Sequence, residues 1–389
     1  MKNIMVLGGD GFCGWPVALF LSEKGYEVTI VDNLSRRKID NNYHFNSLTP
    51  IASLEDRVSV WNSLSAHKIK FNIIDIVKER EIFEDLLLRV KPDVIIHFAE
   101  QRSAPFSMKS DVERVYTVEN NIGSTHHLLS SLVKLDIDAH IIHLGTMGVY
   151  GYSSTEWEIP EGYLSVQVEG RSGKYTEREI LYPTSPGSVY HLTKSMDQLI
   201  FQYYASNYQL RITDLHQGVV WGTNTKQTNR DERLINRFDY DGDYGTVLNR
   251  FLMQSAIGHP LTVYGTGGQT RAFIHIDDTC KCIELAIENP AKSGERVKIF
   301  NQVTETHTVL SLAKKVSEAT GVSIQPTENP RNEMVENELD VCHECFDGLG
   351  LKAKKVADAP LNTEIELAVK YIDRVDKSII KPLSFWKSK

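Results

Sequence analysis

An α/β fold on a doubly wound parallel sheet is predicted by three observations in this chain of 389 residues. Short apolar runs of strand length alternate with longer amphipathic stretches, the pattern of strands joined by covering helices. The first run, Lys2 to Leu7, opens into Gly8-Gly9-Asp10-Gly11-Phe12-Cys13-Gly14 and an apolar helical pattern through Leu21. The second, Tyr26 to Val31, ends at an acid, Asp32. Glycines at 8, 11 and 14 let the chain turn tightly, let a pyrophosphate approach the backbone, and let the helix pack on the strand with its N-terminus facing the anion. This is the Rossmann arrangement, and it implies a dinucleotide. Asp32 is placed to accept hydrogen bonds from the adenosine ribose and to repel a 2′-phosphate. Arg36 and Arg37 are of the type that takes such a phosphate. The carboxylate lies closer to the strand end, so NAD is the cofactor expected.

The whole-chain properties narrow the class. With 41% hydrophobic residues the chain can bury a large core, as one large unit or two intimately joined ones. A net charge of -8 and a pI near 5.9 leave no basic stripe for nucleic acid. No apolar run approaches the ~20 residues that cross a membrane. Met1 to Val6 leads straight into the first strand, so no leader peptide is expected. Five scattered cysteines fit a reducing, cytoplasmic setting.

Between the second strand and the next, residues 38 to 68 are read as an insertion, a lid or a helical ornament, because a simple unit needs only a short loop there. The sheet pattern resumes with Lys70 to Ile74, a helix over Arg80 to Val90 and a strand over Asp93 to Phe98. Asp75 and Ile76 are placed to contact adenine; a helix cap is the other reading of Asp75. Glu100-Gln101-Arg102 leaves the strand at its carboxyl end, where open parallel sheets bind ligands. Arg102 is there the first cation offered to a substrate, or else half of a surface ion pair. Ile141 to Leu144 is the next strand, and Thr146 follows it in position to share a hydrogen-bond network with Tyr190 and a sugar hydroxyl. Residues 151 to 183 read as a hairpin-bearing insertion. Ser185 or Ser188 is expected to cap the following helix, with Pro186 in its first turn. Arg211 to His216 is a further strand, and Gln217 leaves it toward the sugar. Two units are expected: 1–215, the cofactor-binding part with the catalytic helix, and 216–389, a smaller C-terminal α/β substrate domain partly interleaved with it.

Tyr190-His191-Leu192-Thr193-Lys194 puts a phenol and an ammonium one helical turn apart on one face. A lysine cation beside a tyrosine favours the phenolate and pulls its pKa down from ~10 toward neutrality. Such a phenolate can take the proton of a substrate hydroxyl while hydride leaves the same carbon. Two metal patterns fail. Asp239, Asp241 and Asp243 lack the closing glutamate of a calcium loop, and Cys342-His343-Glu344-Cys345 lacks a second ligand pair in register.

The N-terminal glycines, Asp32, Thr146 and the Tyr190/Lys194 pair together resemble the extended short-chain dehydrogenase/reductases that act on nucleotide sugars. The rarer strings resemble the UDP-sulfoquinovose synthase family among them: Ser47 to Ser53, Glu100 to Pro105, Gly145 to Gly148, Tyr190 to Lys194, Gln217 to Val220, Gly245 to Phe251, Gly258 to Gly265 and Gly268 to Arg271. The resemblance implies that NAD is held by Gly8, Gly11, Phe12, Cys13, Gly14, Asp32, Asn33, Ser35, Arg36, Asp75, Ile76, Phe98, Ala99, Asn120, Tyr190, Lys194, Gln217 and Val220. It implies that Thr246, Val247, Leu248 and Asn249 with Thr262, Val263 and Tyr264 meet uridine. Arg271 and Arg331 would bind the diphosphate, and Gln269, Gln217, Thr146 and Arg102 would complete the substrate site.

The substrates implied are UDP-glucose and sulfite. C4 is oxidised by bound NAD with Tyr190 as base, water is lost across C5 and C6, sulfite adds at C6, and C4 is reduced again. Nucleotide-sugar 4,6-dehydratases follow the threonine with an Asp-Glu pair, and here Met147 and Gly148 stand instead. That leaves the acid/base groups at C5 and C6 open; His191 is the first candidate, with Glu100 and Tyr190 as others and a packed helix histidine as its structural reading. A 4-epimerase or 4,6-dehydratase would use the same dyad, and a non-catalytic NAD sensor would not need it. Homodimers or higher homo-oligomers are expected from the resemblance.

Overall fold

The computed structural model describes residues 2–152, 157–331 and 333–380. The first half alternates as the apolar runs require. It comprises β1 (Asn3–Leu7), α1 (Gly14–Glu23), β2 (Glu27–Asp32), α2 (Ser35–Tyr43), α3 (Leu54–Leu64), β3 (Ile69–Ile73), α4 (Arg80–Val90) and β4 (Val94–His97). After a short turn α5 (Ala104–Ser107) come α6 (Asp111–Lys134), β5 (His140–Leu144), the hairpin strands β6 (Tyr163–Glu169) and β7 (Tyr175–Leu181), and α7 (Val189–Tyr208). The second half runs β8 (Arg211–Gln217), β9 (Val219–Trp221), α8 (Val247–Ala256), β10 (Leu261–Tyr264), β11 (Gly268–His275), α9 (Ile276–Glu288), β12 (Lys298–Gln302), β13 (Glu305–Thr308), α10 (Val309–Thr320) and β14 (Ile324–Thr327).

Seven parallel strands form the main sheet in the order β12-β8-β5-β4-β1-β2-β3. Ile4, Met5, Val6, Leu7, Ile95, Ile96, Ile141 and Ile142 are all fully buried, because helices cover both faces. Strand order reverses beside β1, which opens a crevice at the carboxyl ends of β1 and β4. β12 shows that the sheet takes a strand from beyond the point where the second unit was expected to begin. That later part otherwise builds smaller sheets, with β10 beside β14, and β11 between β13 and β9. Leu248, Phe251, Val263, Phe273 and Leu312 form their core.

Residues 38–68 are not a lid. α3 is the crossover that carries β2 to its parallel neighbour β3, a connection that antiparallel strands would not need. Its Leu54, Val58 and Trp61 pack with Trp15 and Leu19 of α1 in the core. Only α2 and the segment from His44 to Ala52 are extra. The hairpin expected within 151–183 is present as β6 and β7; residues 153–156 of that insertion lie outside the described residues. Ser188 caps α7, its hydroxyl accepting the amide N–H of His191 at 3.2 Å, and Pro186 precedes the helix rather than sitting in its first turn.

Candidate active site

One continuous cleft runs from the glycine loop past Tyr190 to the second half of the chain. At its dinucleotide end Gly8 has φ +81°, and a Cβ there would lie 2.7 Å from the Phe98 carbonyl; one on Gly14 would lie 2.2 Å from the Gly8 oxygen. These close approaches make the cradle that a pyrophosphate needs. Asp32 receives the N–H of Asp10 at 2.9 Å and of Leu34 at 2.7 Å. Burial, with Asp10 nearby, raises its pKa to about 6. All the residues expected to hold NAD line this cleft. Asp75 is not the helix cap of its other reading: α4 starts at Arg80 after Glu79, and the Asp75 carboxylate instead accepts the N–H groups of Val77 and Lys78 in the preceding turn at 3.1 and 3.2 Å.

The question posed by Arg36 and Arg37 is settled by their partners. Arg37 forks onto Asp10 at 2.5 and 2.9 Å and onto the Ala52 carbonyl at 2.7 Å. Arg57, fully buried on α3, holds the same Asp10 at 2.9 Å. Arg36 pairs with Asp40 and with Asp239, and its guanidinium stacks 3.7 Å from the Tyr244 ring. Both guanidinium groups are thus engaged by carboxylates, and Asp32 faces the ribose position. The residues present fit NAD.

Tyr190 and Lys194 sit together on α7, and Thr146 hydrogen-bonds the phenol. The expected fall of the Tyr190 pKa is not what the protein alone produces. Burial raises it above its ordinary value; Lys194 and Thr146 pull it down, and Glu100 opposes them. Lys194 Nζ donates to the Leu144 carbonyl at 2.7 Å and lies 2.7 Å from Glu100 Oε2 and 2.9 Å from His143 Nε2. Burial, the largest single influence, would lower Lys194, but Glu100 together with Tyr190 and Asp197 outweighs it and the ammonium stays above its usual pKa. Among the described residues the side chains with metal-like spacing are Glu100, His143 and Asp197. Lys194 supplies the cation there.

His191 lies on the other side of Tyr190, with ring centroids 5.2 Å apart. The Ser188 hydroxyl is 3.1 Å from Nδ1 and the Tyr152 hydroxyl 3.4 Å from Nε2; with Ser188 assigned as donor to Nδ1, the N–H lies on Nε2. Burial lowers the ring to a pKa of about 3, so it is neutral at working pH. Gly148 explains how the ring fits: a Cβ there would lie 2.2 Å from His191 Cδ2 and 2.3 Å from Nε2. The imidazole occupies the space that any larger residue at 148 would need.

At the sugar end Thr246, Val247, Thr262, Tyr264, Gln269, Arg271 and Arg331 line the cleft, with Gln217, Thr146 and Arg102 nearer its centre. Leu248, Asn249 and Val263 do not line it. Leu248 and Val263 belong to the apolar core, because alternation along β10 turns Thr262 and Tyr264 to the cleft and Val263 away. The Asn249 side chain donates instead to the Asp239 carbonyl at 3.3 Å. Arg271 pairs with Glu333 and stacks 4.3 Å from the Tyr152 ring, while Arg250 stacks 4.6 Å from Tyr264. Three guanidiniums facing one carboxylate leave positive charge for a diphosphate. Arg102 is in an ion pair, with Asp239 Oδ2 at 2.6 Å, so an incoming anion must compete with a buried carboxylate.

The sequence reading missed His143, Asp214, Asp10 with Arg57, and Asp239. Asp10 stands inside the glycine loop and Asp239 in the rejected calcium pattern, but neither string tells what its carboxylate pairs with. The one available signal was a histidine at 143 and an acid at 214 in apolar strands, where a polar side chain demands a partner. Asp241 Oδ1 accepts the N–H groups of Asp243 and Tyr244, and Asp243 pairs with Lys109 at 2.8 Å, which accounts for those acids structurally. His343 lies 3.2 Å from the Asp347 carboxylate.

Comparison with known proteins adds the family. Residues 4–301 match the NAD dependent epimerase/dehydratase family. The UDP-sulfoquinovose synthase of Spinacia oleracea, described as chloroplastic, is 43% identical over 99% of this chain and 79% of its own length. That of Sulfolobus acidocaldarius is 38% identical over 99% of this chain and 98% of its own. Among solved structures, UDP-glucose 4-epimerase of Thermotoga maritima with UDP-glucose superposes with a TM-score of 0.69 at 24% identity, covering 96% of this chain and 99% of that one. The Bifidobacterium longum UDP-glucose 4-epimerase with NAD+ and UDP also gives 0.69, at 19% identity over 95% and 98%; these two carry the fold. The chain belongs to the NAD dependent epimerase/dehydratase family and, within it, to the UDP-sulfoquinovose synthases.

Proposed function

We propose that this protein makes UDP-sulfoquinovose from UDP-glucose and sulfite. The observation that carries this reading is the neutral imidazole of His191 seated over Gly148, beside the Tyr190 base. A 4,6-dehydratase would have a carboxylate pair after its threonine, and this cleft has an uncharged donor in the corresponding space. The near full-length likeness to two synthases supports the same reading.

The glycine cradle and Asp32 would hold NAD, which when bound would supply the hydride acceptor and donor for C4. Tyr190 receives the proton of the C4 hydroxyl, with Thr146 and Lys194 favouring the phenolate. The resulting ketone acidifies the C5 hydrogen. The C5 proton and the C6 hydroxyl leave together as water and form the C5–C6 double bond, and His191 Nε2–H hydrogen-bonds the departing oxygen while keeping its own proton. Sulfite then forms a carbon–sulfur bond at C6 while a proton returns to C5. Arg271, Arg331 and Arg250 hold the diphosphate throughout, and Arg102 exchanges Asp239 for the incoming anion.

The test is mass spectrometry of the product from UDP-glucose with and without sulfite, using protein that carries its co-purified NAD. A UDP-sulfosugar formed only with sulfite is expected. UDP-galactose or a 4-keto-6-deoxy sugar accumulating at full rate without sulfite would overturn the reading.

A further inference from the structure

Tyr152 stands in the cleft between two groups that act at different ends of the sugar nucleotide: the arginines toward the second half of the chain and the imidazole beside Tyr190. The chain reaches it from the short helical turn Met147–Tyr150 through Gly151. Gly151 has φ +85°, and a Cβ there would lie 2.9 Å from Ser185 Cβ, so the direction of the chain into Tyr152 is tightly set. The Ser185 N–H donates to the Val149 carbonyl at 2.9 Å and pins the same turn. Thr146, Gly148 and Tyr152 thus enter the site from one stretch of backbone.

The Tyr152 side chain meets both groups at once. The Arg271 guanidinium stands over its ring, 4.3 Å from the centroid, while Arg271 Nη1 donates to the Thr270 carbonyl at 2.8 Å and Nη2 pairs with Glu333. A guanidinium already stacked flat has less freedom to lose when an anion takes it. On the other side the His191 ring lies edge to face with Tyr152, centroids 5.6 Å apart and planes at 67°. The phenol oxygen is 3.4 Å from His191 Nε2. With Ser188 donating to Nδ1, that oxygen is the acceptor for the Nε2–H. The bond is longer than the ~2.9 Å of a well-formed one, so a departing hydroxyl can take the phenol's place at little cost.

We propose that Tyr152 is a positioning residue that ties the diphosphate end of the cleft to the elimination flank: its ring seats Arg271 for the diphosphate, and its hydroxyl holds the His191 Nε2–H in the direction of the leaving oxygen. The proposal rests on the reading of the reaction given above. Burial raises the Tyr152 pKa, with Arg271 pulling the other way, so the phenol keeps its hydrogen at working pH and adds no charge beside the neutral imidazole.

The test compares Tyr152→Phe, which keeps the ring, with Tyr152→Leu, which keeps neither half, on protein carrying its co-purified NAD. UDP affinity is read by titration calorimetry, nicotinamide reduction by absorbance, and sulfosugar by mass spectrometry. Tyr152→Phe is expected to bind UDP as wild type does and to lose about three- to tenfold in sulfosugar formation relative to nicotinamide reduction. Tyr152→Leu should also bind UDP about fivefold more weakly. On a His191→Asn background Tyr152→Phe should cost nothing further, because the hydroxyl acts through the imidazole. A merely structural residue would slow both steps together and would add its full loss on that background. Equal losses on the two backgrounds, a Tyr152→Phe variant with the wild-type ratio of the two steps, or a Tyr152→Leu variant with wild-type UDP affinity overturns the proposal. Nitrogen NMR of histidine-labelled wild type decides it even if neither variant folds, because a His191 proton found on Nδ1 leaves the phenol nothing to accept and overturns it. Wild type that makes no sulfosugar refutes instead the reading of the reaction, and the UDP titration and the NMR still decide the two contacts of Tyr152.

Discussion

The two flanks of Tyr190 are built on opposite principles. Toward Lys194 lie Glu100, His143, Asp197 and Asp214, all buried, ionisable and within reach of one another. Toward His191 lie Ser188, Tyr152 and the bare backbone of Gly148, with a ring that burial keeps neutral. The first flank controls charge, which is what ionising a phenol in a dry site requires. The second provides an uncharged N–H and open space, suited to hydrogen-bonding a departing hydroxyl without a charge that would itself need a counter-ion. One helix therefore serves an oxidation on one side and an elimination on the other.

Removing the shared centre gives the largest effect. Tyr190→Phe should lower nicotinamide reduction by UDP-glucose by roughly 10²- to 10⁴-fold, the usual worth of a positioned base, with NAD still co-purifying. Retention of more than a tenth of the rate would mean that the proton leaves by another route. His191→Asn should then separate the flanks. Nicotinamide reduction should persist while sulfosugar formation falls by about 10²-fold, measured by absorbance and mass spectrometry on the same sample; equal losses in both would show that the flanks are not distinct. Gly148→Ala should resemble it more mildly, by about tenfold, because its Cβ would meet the ring at 2.2 Å and push it aside rather than remove it.

How much of this was legible depended on whether the partners are close in sequence. The sheet was readable because its strands are apolar runs bounded by glycine and acids, and the cofactor residues because they follow one another at strand ends. Tyr190, Lys194 and His191 share one helix, so spacing alone brought them together. Which residues oppose them was not readable. His143 meets Asp214 only because β5 and β8 pair in parallel with those two residues in register, and a shift of one place would turn them to opposite faces. Gly148 meets His191 through the packing of a short helical turn on α7, which no periodicity encodes. Leu248, Asn249 and Val263 failed for a related reason: a contiguous motif does not say which of its residues face the ligand. The segment 38–68 misled because α3 is mixed in polarity, with Arg57 buried in its core-facing side for Asp10.

The charged flank also makes the smallest and cleanest prediction, in stability rather than rate. The His143 pKa is about 9 in the folded chain against an ordinary 6.5. Below the ordinary value folded and unfolded chains both hold the proton, and the contribution to stability is complete. Between that value and about 9 the folded chain keeps a proton that the unfolded chain has lost, so stability declines as pH rises. The Tm of wild type should therefore fall across this window relative to His143→Gln, by an amount on the order of a few °C. Scanning calorimetry of both proteins from pH 6 to pH 10 gives the difference curve. A flat difference would place the proton of His143 elsewhere in the array, on Glu100 or Asp214, and would merge the two flanks into one neutral surround for Tyr190.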